Sequence, residues 1–165
     1  MKTGDKLAIL KRQEEELVFD EFTNHDALEL GKEIADRLVD SERPIAIVIR
    51  LGEQTVFTYT MKGKEESHFG WANRKANMVE ETGHSSMYVR IAYLEGQEYE
   101  ALVKQEEKYA IGCGGFPITV KGAGRVGAIG LSGLVDPEDH TVIVETIAGR
   151  LGKKIEALDK AMMES

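Results

Sequence analysis

The sequence predicts an α+β fold, a single antiparallel sheet flanked by helices. Two observations carry this. Residues 45–61 and 116–134 each read as two strands joined by a short turn, and so short a connection permits only antiparallel pairing. The other periodic segments are helical and lie before, between and after the two hairpins, whereas a parallel sheet needs strands alternating singly with crossover helices. The chain has 165 residues, which suits one domain covering 1–165.

Residues 5–16 read as a helix with Leu7 and Leu10 on one face and Glu14, Glu15 and Glu16 solvated. Residues 17–19 form a short strand candidate. Thr23 and Asp26 then make a capping box, and Leu30, Ile34 and Leu38 recur behind it at helical spacing. Pro44 follows the end of that helix. Residues 45–49 are continuously apolar and mostly β-branched, the pattern of a buried central strand. Gly52 and Glu53 turn the chain back into residues 54–61.

Ser67 is the expected cap of the next helix, which presents Trp71, Ala72, Ala76 and Val79 and stops at Gly83. Residues 87–94 fit either a short helix or a strand, and 95–110 fit helical turns and loop. Strands follow at 116–120 and 126–134. Asp136 as N-cap, Pro137 at N1 and the acidic pair Glu138 and Asp139 open the last long helix, striped by Ile143, Ile147 and Leu151. Gly149 and Gly152 weaken it ahead of a tail carrying Ile155, Leu158 and Met162.

Eight of the 17 glycines lie between residues 112 and 133. Glycine inside strands marks close approach of backbone, so this density calls for a ligand, a neighbouring subunit or tight helix packing. Gly122, Gly124 and Gly127 have the spacing of a dinucleotide-binding fingerprint. That motif needs a helix after the glycines, and here Ala128 to Leu134 read as a strand, so the segment is expected to be a hairpin turn.

The net charge of −8, with 21 scattered basic residues against 29 acidic ones, lacks the basic footprint of a nucleic-acid binder. No apolar run reaches the roughly 20 residues that span a bilayer. The first residues lack the apolar core of a signal peptide, and Cys113 is the only cysteine, so the expected location is the cytoplasm, away from nucleic acid and membrane.

Trp71, Arg74, Lys75, Asn77 and Val79 form one spaced motif, and Ser85-Ser86 a second. Gly114-Gly115-Phe116-Pro117-Ile118, then the run from Val126 to Leu134, and Asp139-His140 complete the set. With these segments the chain resembles the haem-degrading-domain family, the GlcG/HbpS-like group, over nearly its whole length. The resemblance implies a profilin-like, three-layer α/β/α arrangement, homo-oligomeric assembly and, from other branches, haem binding. It assigns no reaction, and many members have no established activity.

A haem site needs a pocket and commonly an axial His, Cys, Met or Tyr. His25 and His68 fall in first helical turns and are expected to face solvent, and His84 follows a helix end. His140 follows the glycine-rich strand and could bond Asp136, which makes it the first choice, with Cys113 next. Arg74 and Lys75 could hold a carboxylate, or else form surface ion pairs such as Arg74 with Asp36 and Lys75 with Glu66. Arg125 sits in the turn, able to face a ligand or a second subunit. The candidate ligand-binding set is thus Arg74, Lys75, Gly114, Gly115, Phe116, Arg125, Ser132 and His140, for haem or another planar or acidic small molecule. No metal-ligand spacing and no nucleophile elbow occurs. The alternative is a self-assembling scaffold that uses the glycine-rich strands and the Trp71 helix as its interface and takes no small ligand.

Overall fold

Five strands form one sheet in the computed structural model, in the order β1-β4-β5-β2-β3. The backbone is described for residues 1–63 and 66–165, and side chains for 1–63 and 69–165. The expected cap at Ser67 and the side chain of His68 lie outside the described residues. The strands are β1 (Val18–Phe19), β2 (Ala46–Leu51), β3 (Gln54–Thr60), β4 (Gly115–Val120) and β5 (Gly124–Ser132). Both hairpins are antiparallel, and β2 pairs antiparallel with β5 to join them. β1 departs from the expected all-antiparallel sheet by pairing parallel with β4 through two residues. The sheet is therefore mixed, with one short parallel edge.

The helices are α1 (Thr3–Glu16), α2 (Asn24–Arg37), α3 (Glu66–Thr82), α4 (Ser86–Gly96), α5 (Glu100–Val103), α6 (Glu138–Leu151) and α7 (Lys160–Glu164). Thr23 caps α2 as read: its hydroxyl accepts from the Asp26 N–H and the Asp26 carboxylate accepts from the Thr23 N–H. The ambiguous stretch 87–94 is helical. Ser85 accepts from the Tyr88 N–H and starts α4 after the left-handed turn at Gly83.

Strand alternation splits the core in two. Ile45, Ile47 and Ile49 pack with Ile129, Leu131 and Phe116 against α2 and α6. Ala46, Val48 and Ala128 face Ala72, Ala76 and Val79 of α3 on the opposite side. Small side chains on both surfaces let α3 lie almost on the sheet backbone. A Cβ on Gly130 would collide with the Ala72 carbonyl oxygen, and one on Gly115 would come within 2.7 Å of the Lys75 carbonyl oxygen. Tight helix packing thus accounts for Gly115 and Gly130, whereas a Cβ on Gly127 would collide with the Arg50 carbonyl oxygen of β2. Gly122 and Gly124, at φ +81° and +78°, make the β4–β5 turn, so the fingerprint spacing is that of a hairpin.

The start of α6 differs from its reading. The Asp136 carboxylate accepts from the Cys113 N–H at 3.0 Å and lies 3.6 Å from Arg90, so it caps another segment. Pro137 occupies the cap position, and its carbonyl accepts from the Thr141 N–H. Glu14 is also not solvated: its carboxylate accepts from the Ser85 N–H and lies 2.9 Å from His84 Nδ1. Gly149 continues α6, and Gly152 ends it in the left-handed conformation. Beyond it Leu158 is buried against α1 and α4, together with Cys113.

Candidate functional site

Lys75 leaves α3 pointing into the protein. Its Nζ donates to the Leu131 carbonyl at 2.9 Å and to Asp139 Oδ2 at 3.3 Å, with side-chain exposures of 7% and 1%. The Lys75 ammonium is thereby paired inside the protein, while the side chain of Glu66, its expected surface partner, lies outside the described residues. Burial raises the Asp139 carboxyl to about 6, against the pull of the Lys75 ammonium. Its second oxygen, Oδ1, is buried and has no hydrogen-bond partner among the described residues.

His140 is buried beside it and meets Gln13 of α1, not Asp136. The Gln13 amide nitrogen donates to the Glu156 carbonyl at 2.8 Å, which turns the amide oxygen toward His140 Nε2 at 2.7 Å. This contact places the imidazole proton on Nε2, and among the described residues the buried Nδ1 lone pair has no hydrogen-bond partner. Desolvation lowers its pKa to about 4, so the ring is neutral near pH 7. The Phe116 ring meets it edge-on, with centroids 5.7 Å apart. Ser86 completes the cluster: its hydroxyl donates to the Gly112 carbonyl at 2.6 Å and accepts from the Gly115 N–H at 2.8 Å.

The structure thus brings Lys75, Gly114, Gly115, Phe116, Ser132 and His140 together, in a packed interior. Gly114 is filled in by the Leu131 carbonyl, Gly115 by α3, and Ser132 is buried at the end of β5. Arg74 and Arg125 stand apart. Arg74 lies over the Trp71 ring at 4.1 Å and donates to the Glu106 carbonyl, not to Asp36. Arg125 donates to the Glu80 carbonyl. His25 is exposed beside Glu29, His84 stacks on Tyr88 at 4.0 Å, and Cys113 is fully buried with its thiol pKa pushed far up by desolvation.

Open space lies on the other side of α6. A cleft of about 890 Å³ separates the end of α2 from the 134–138 turn and the first turns of α6, with α7 at its rim. Leu38, Leu134 and Val142 give it apolar walls. Asp40, Asp136, Glu138, Glu145 and Asp159 bring five carboxylates against two cations, Arg37 and Lys160. No local sequence signal marks this cleft, because its walls come from three separated segments. Among the described residues no cluster of three His, Cys, Asp or Glu side chains is arranged to hold a metal ion, and no helix is long and apolar enough to cross a membrane.

Residues 22–148 match the model of the haem-degrading HbpS-like proteins. The chain belongs to the HbpS-like family. A UPF0303 protein of Mesorhizobium japonicum is 36% identical over 160 residues, which cover 92% of each chain. Among solved structures, the Ybr137w protein superposes with a TM-score of 0.80 at 25% identity, covering 88% of this chain and 87% of that one. PduOC, solved as a complex with haem, superposes with a TM-score of 0.68 at 19% identity, over 77% of this chain and 93% of its own. These likenesses show the α+β fold expected from the two hairpins.

Proposed function

We propose that this HbpS-like chain binds a small planar ligand in the cleft between α2 and α6. The observation that carries the reading is the cleft itself. At about 890 Å³, with apolar walls and a polar rim, it falls in the size and chemical class of small-molecule sites. PduOC supplies the planar ligand class, since it was solved with haem on the same fold. At the glycine hairpin, where a ligand was expected, the space over Gly115 and Gly130 is taken by α3 of the same chain.

The residues of the cleft do not fit iron-ligated haem. None of its lining side chains is a His, Cys, Met or Tyr, the usual axial donors. His140 is enclosed between Gln13 and Phe116 and lines no part of it. Five carboxylates against two cations also oppose the propionates of a porphyrin, so this cleft suits a neutral or cationic ligand better than the acidic one expected at Arg74 and Lys75. The charge of these walls supports a neutral or cationic ligand, and its planarity rests on the PduOC complex alone.

Fluorescence titration with proflavine, a planar cation, and anilinonaphthalene sulfonate, an aromatic anion, tests this. The expected result is saturable proflavine binding, weaker binding of the anion by about tenfold or more, and marked weakening of proflavine binding in Thr141→Trp, which obstructs the cleft. Hemin is expected to give no saturable Soret shift. Absence of saturable proflavine binding, or binding indifferent to Thr141→Trp, overturns the reading.

A further inference from the structure

β3 is an edge strand with unusual composition. It reads Gln-Thr-Val-Phe-Thr-Tyr-Thr over seven residues, with no charge and no proline. Proteins that stay monomeric blunt such edges with charges, prolines, bulges or a covering segment. The opposite edge, β1, is only two residues long. β3 has a bulge near its start, where Thr55 and Phe57 face Arg50 and Ile49 in succession, so residues 57–60 remain regular.

Beside this edge runs a partly apolar groove of about 250 Å³, bounded by Leu28, Lys32, Asp36, Val39 and Tyr59. Leu28, Val39 and Tyr59 are 48%, 68% and 40% exposed. The order along the chain is apolar, Lys, Asp, apolar. A two-fold axis near residue 34 would set Leu28 against the second copy's Val39 and Lys32 against its Asp36, and the reverse.

The strand has its centre at the same height. Gly31 lies on the Phe57 ring. α2 turns back into β2 and β2 into β3, so α2 and β3 run in the same sense. Residue 34 is three residues beyond Gly31, about 4.5 Å along a helix. The midpoint of residues 57–60 is one and a half residues beyond Phe57, about 5 Å along a strand. One axis serves both elements.

We propose that this face binds a second copy of the chain. The two β3 strands pair antiparallel through residues 57–60 and extend the sheet to ten strands, while the α2 helices exchange Lys32–Asp36 pairs across the axis. Such an isologous contact closes on itself. It uses no residue of the cleft and stands or falls independently of the ligand.

Sedimentation velocity on the full chain tests the proposal by charge reversal at two exposed positions. Wild type is expected to contain the dimer at micromolar concentration. Lys32→Asp and Asp36→Lys each place like charges across the axis and are expected to weaken the dimer by about tenfold or more. Lys32→Asp/Asp36→Lys restores it. Mixing the two single variants forms the heterodimer, in which every facing pair is again opposite in sign. Far-UV circular dichroism is expected to be unchanged throughout. A monomeric wild type, or an assembly whose mass ignores both single reversals, overturns the proposal.

Discussion

Lys75 and Asp139 form a buried ion pair across the core, Nζ to Oδ2 at 3.3 Å, joining α3 on one face of the sheet to α6 on the other. The glycines make this reach possible. Gly112 and Gly114 leave room where side chains would meet the Lys75 stem and the Asp139 Cβ.

Removing one member leaves the other charge buried, which costs about 3–5 kcal/mol. Lys75→Met and Asp139→Leu are each expected to lose stability of that order in urea denaturation. The double variant is expected to recover most of the loss, because it leaves no orphaned charge. Additive losses in the double variant would show that volume, not charge, governs the site.

Asp139 and the adjacent His140 are expected to oppose each other in pH dependence. The folded Asp139 carboxyl titrates near 6, above its ordinary 3.8, so between these values the native state holds more protons and stability falls as pH rises. The folded His140 titrates near 4, below its ordinary 6.5, so in that window the unfolded state holds more protons and stability rises with pH. The two slopes nearly cancel between pH 4 and 6. His140→Gln keeps only the Asp139 slope of this pair and should lose about 3 kcal/mol relative to wild type on going from pH 4 to 6. Urea midpoints at the two ends of the window measure this, and parallel profiles for the two proteins would refute it.

Two glycine-to-alanine changes separate close packing from backbone conformation. At Gly122, φ is +81° with open space around the added Cβ, so Gly122→Ala is expected to cost about 1 kcal/mol from the left-handed backbone alone. At Gly130 the added carbon collides with the Ala72 carbonyl, which belongs to a helix backbone and cannot yield without lifting α3. Gly130→Ala is expected to cost at least about 3 kcal/mol. Thermal unfolding of the pair decides, and equal losses would count against tight α3 packing as the reason for the glycine.

The features legible in the sequence are those encoded locally. The Thr23–Asp26 capping box lies within one turn, residues 45–49 show their burial by being apolar throughout, and the glycine turn is flanked by its own strands. The parallel pairing of β1 with β4 was not legible, because Val18 and Thr119 are brought together only by the whole fold. The polar interior was hidden for the same reason. Gln13 sits on a helix that looked solvated toward its end, and its partner His140 lies 127 residues away. Lys75 reads as a surface residue until Asp139 is placed beneath it. Dense glycine in a strand signals close approach, but whether ligand, subunit or helix approaches depends on where α3 docks.

Cys113 reports on how the carboxy-terminal segment is held. The thiol is buried among Ile9, Leu10, Met87, Ile91 and Leu158, with its pKa pushed up by desolvation, so the native form presents no thiolate to a reagent. Labelling by Ellman's reagent at pH 8 must therefore wait for an opening of this cluster. Leu158 follows the end of α6 in a segment without regular structure, so its departure is the smallest opening that bares the sulfur. Leu158→Ala is accordingly expected to accelerate labelling by much more than its effect on global stability. Val89→Ala, in a separate cluster with Met78 and Tyr109, is expected to accelerate it only as far as it lowers stability. Equal acceleration by the two variants at matched stability would mean that Cys113 is reached only through global unfolding.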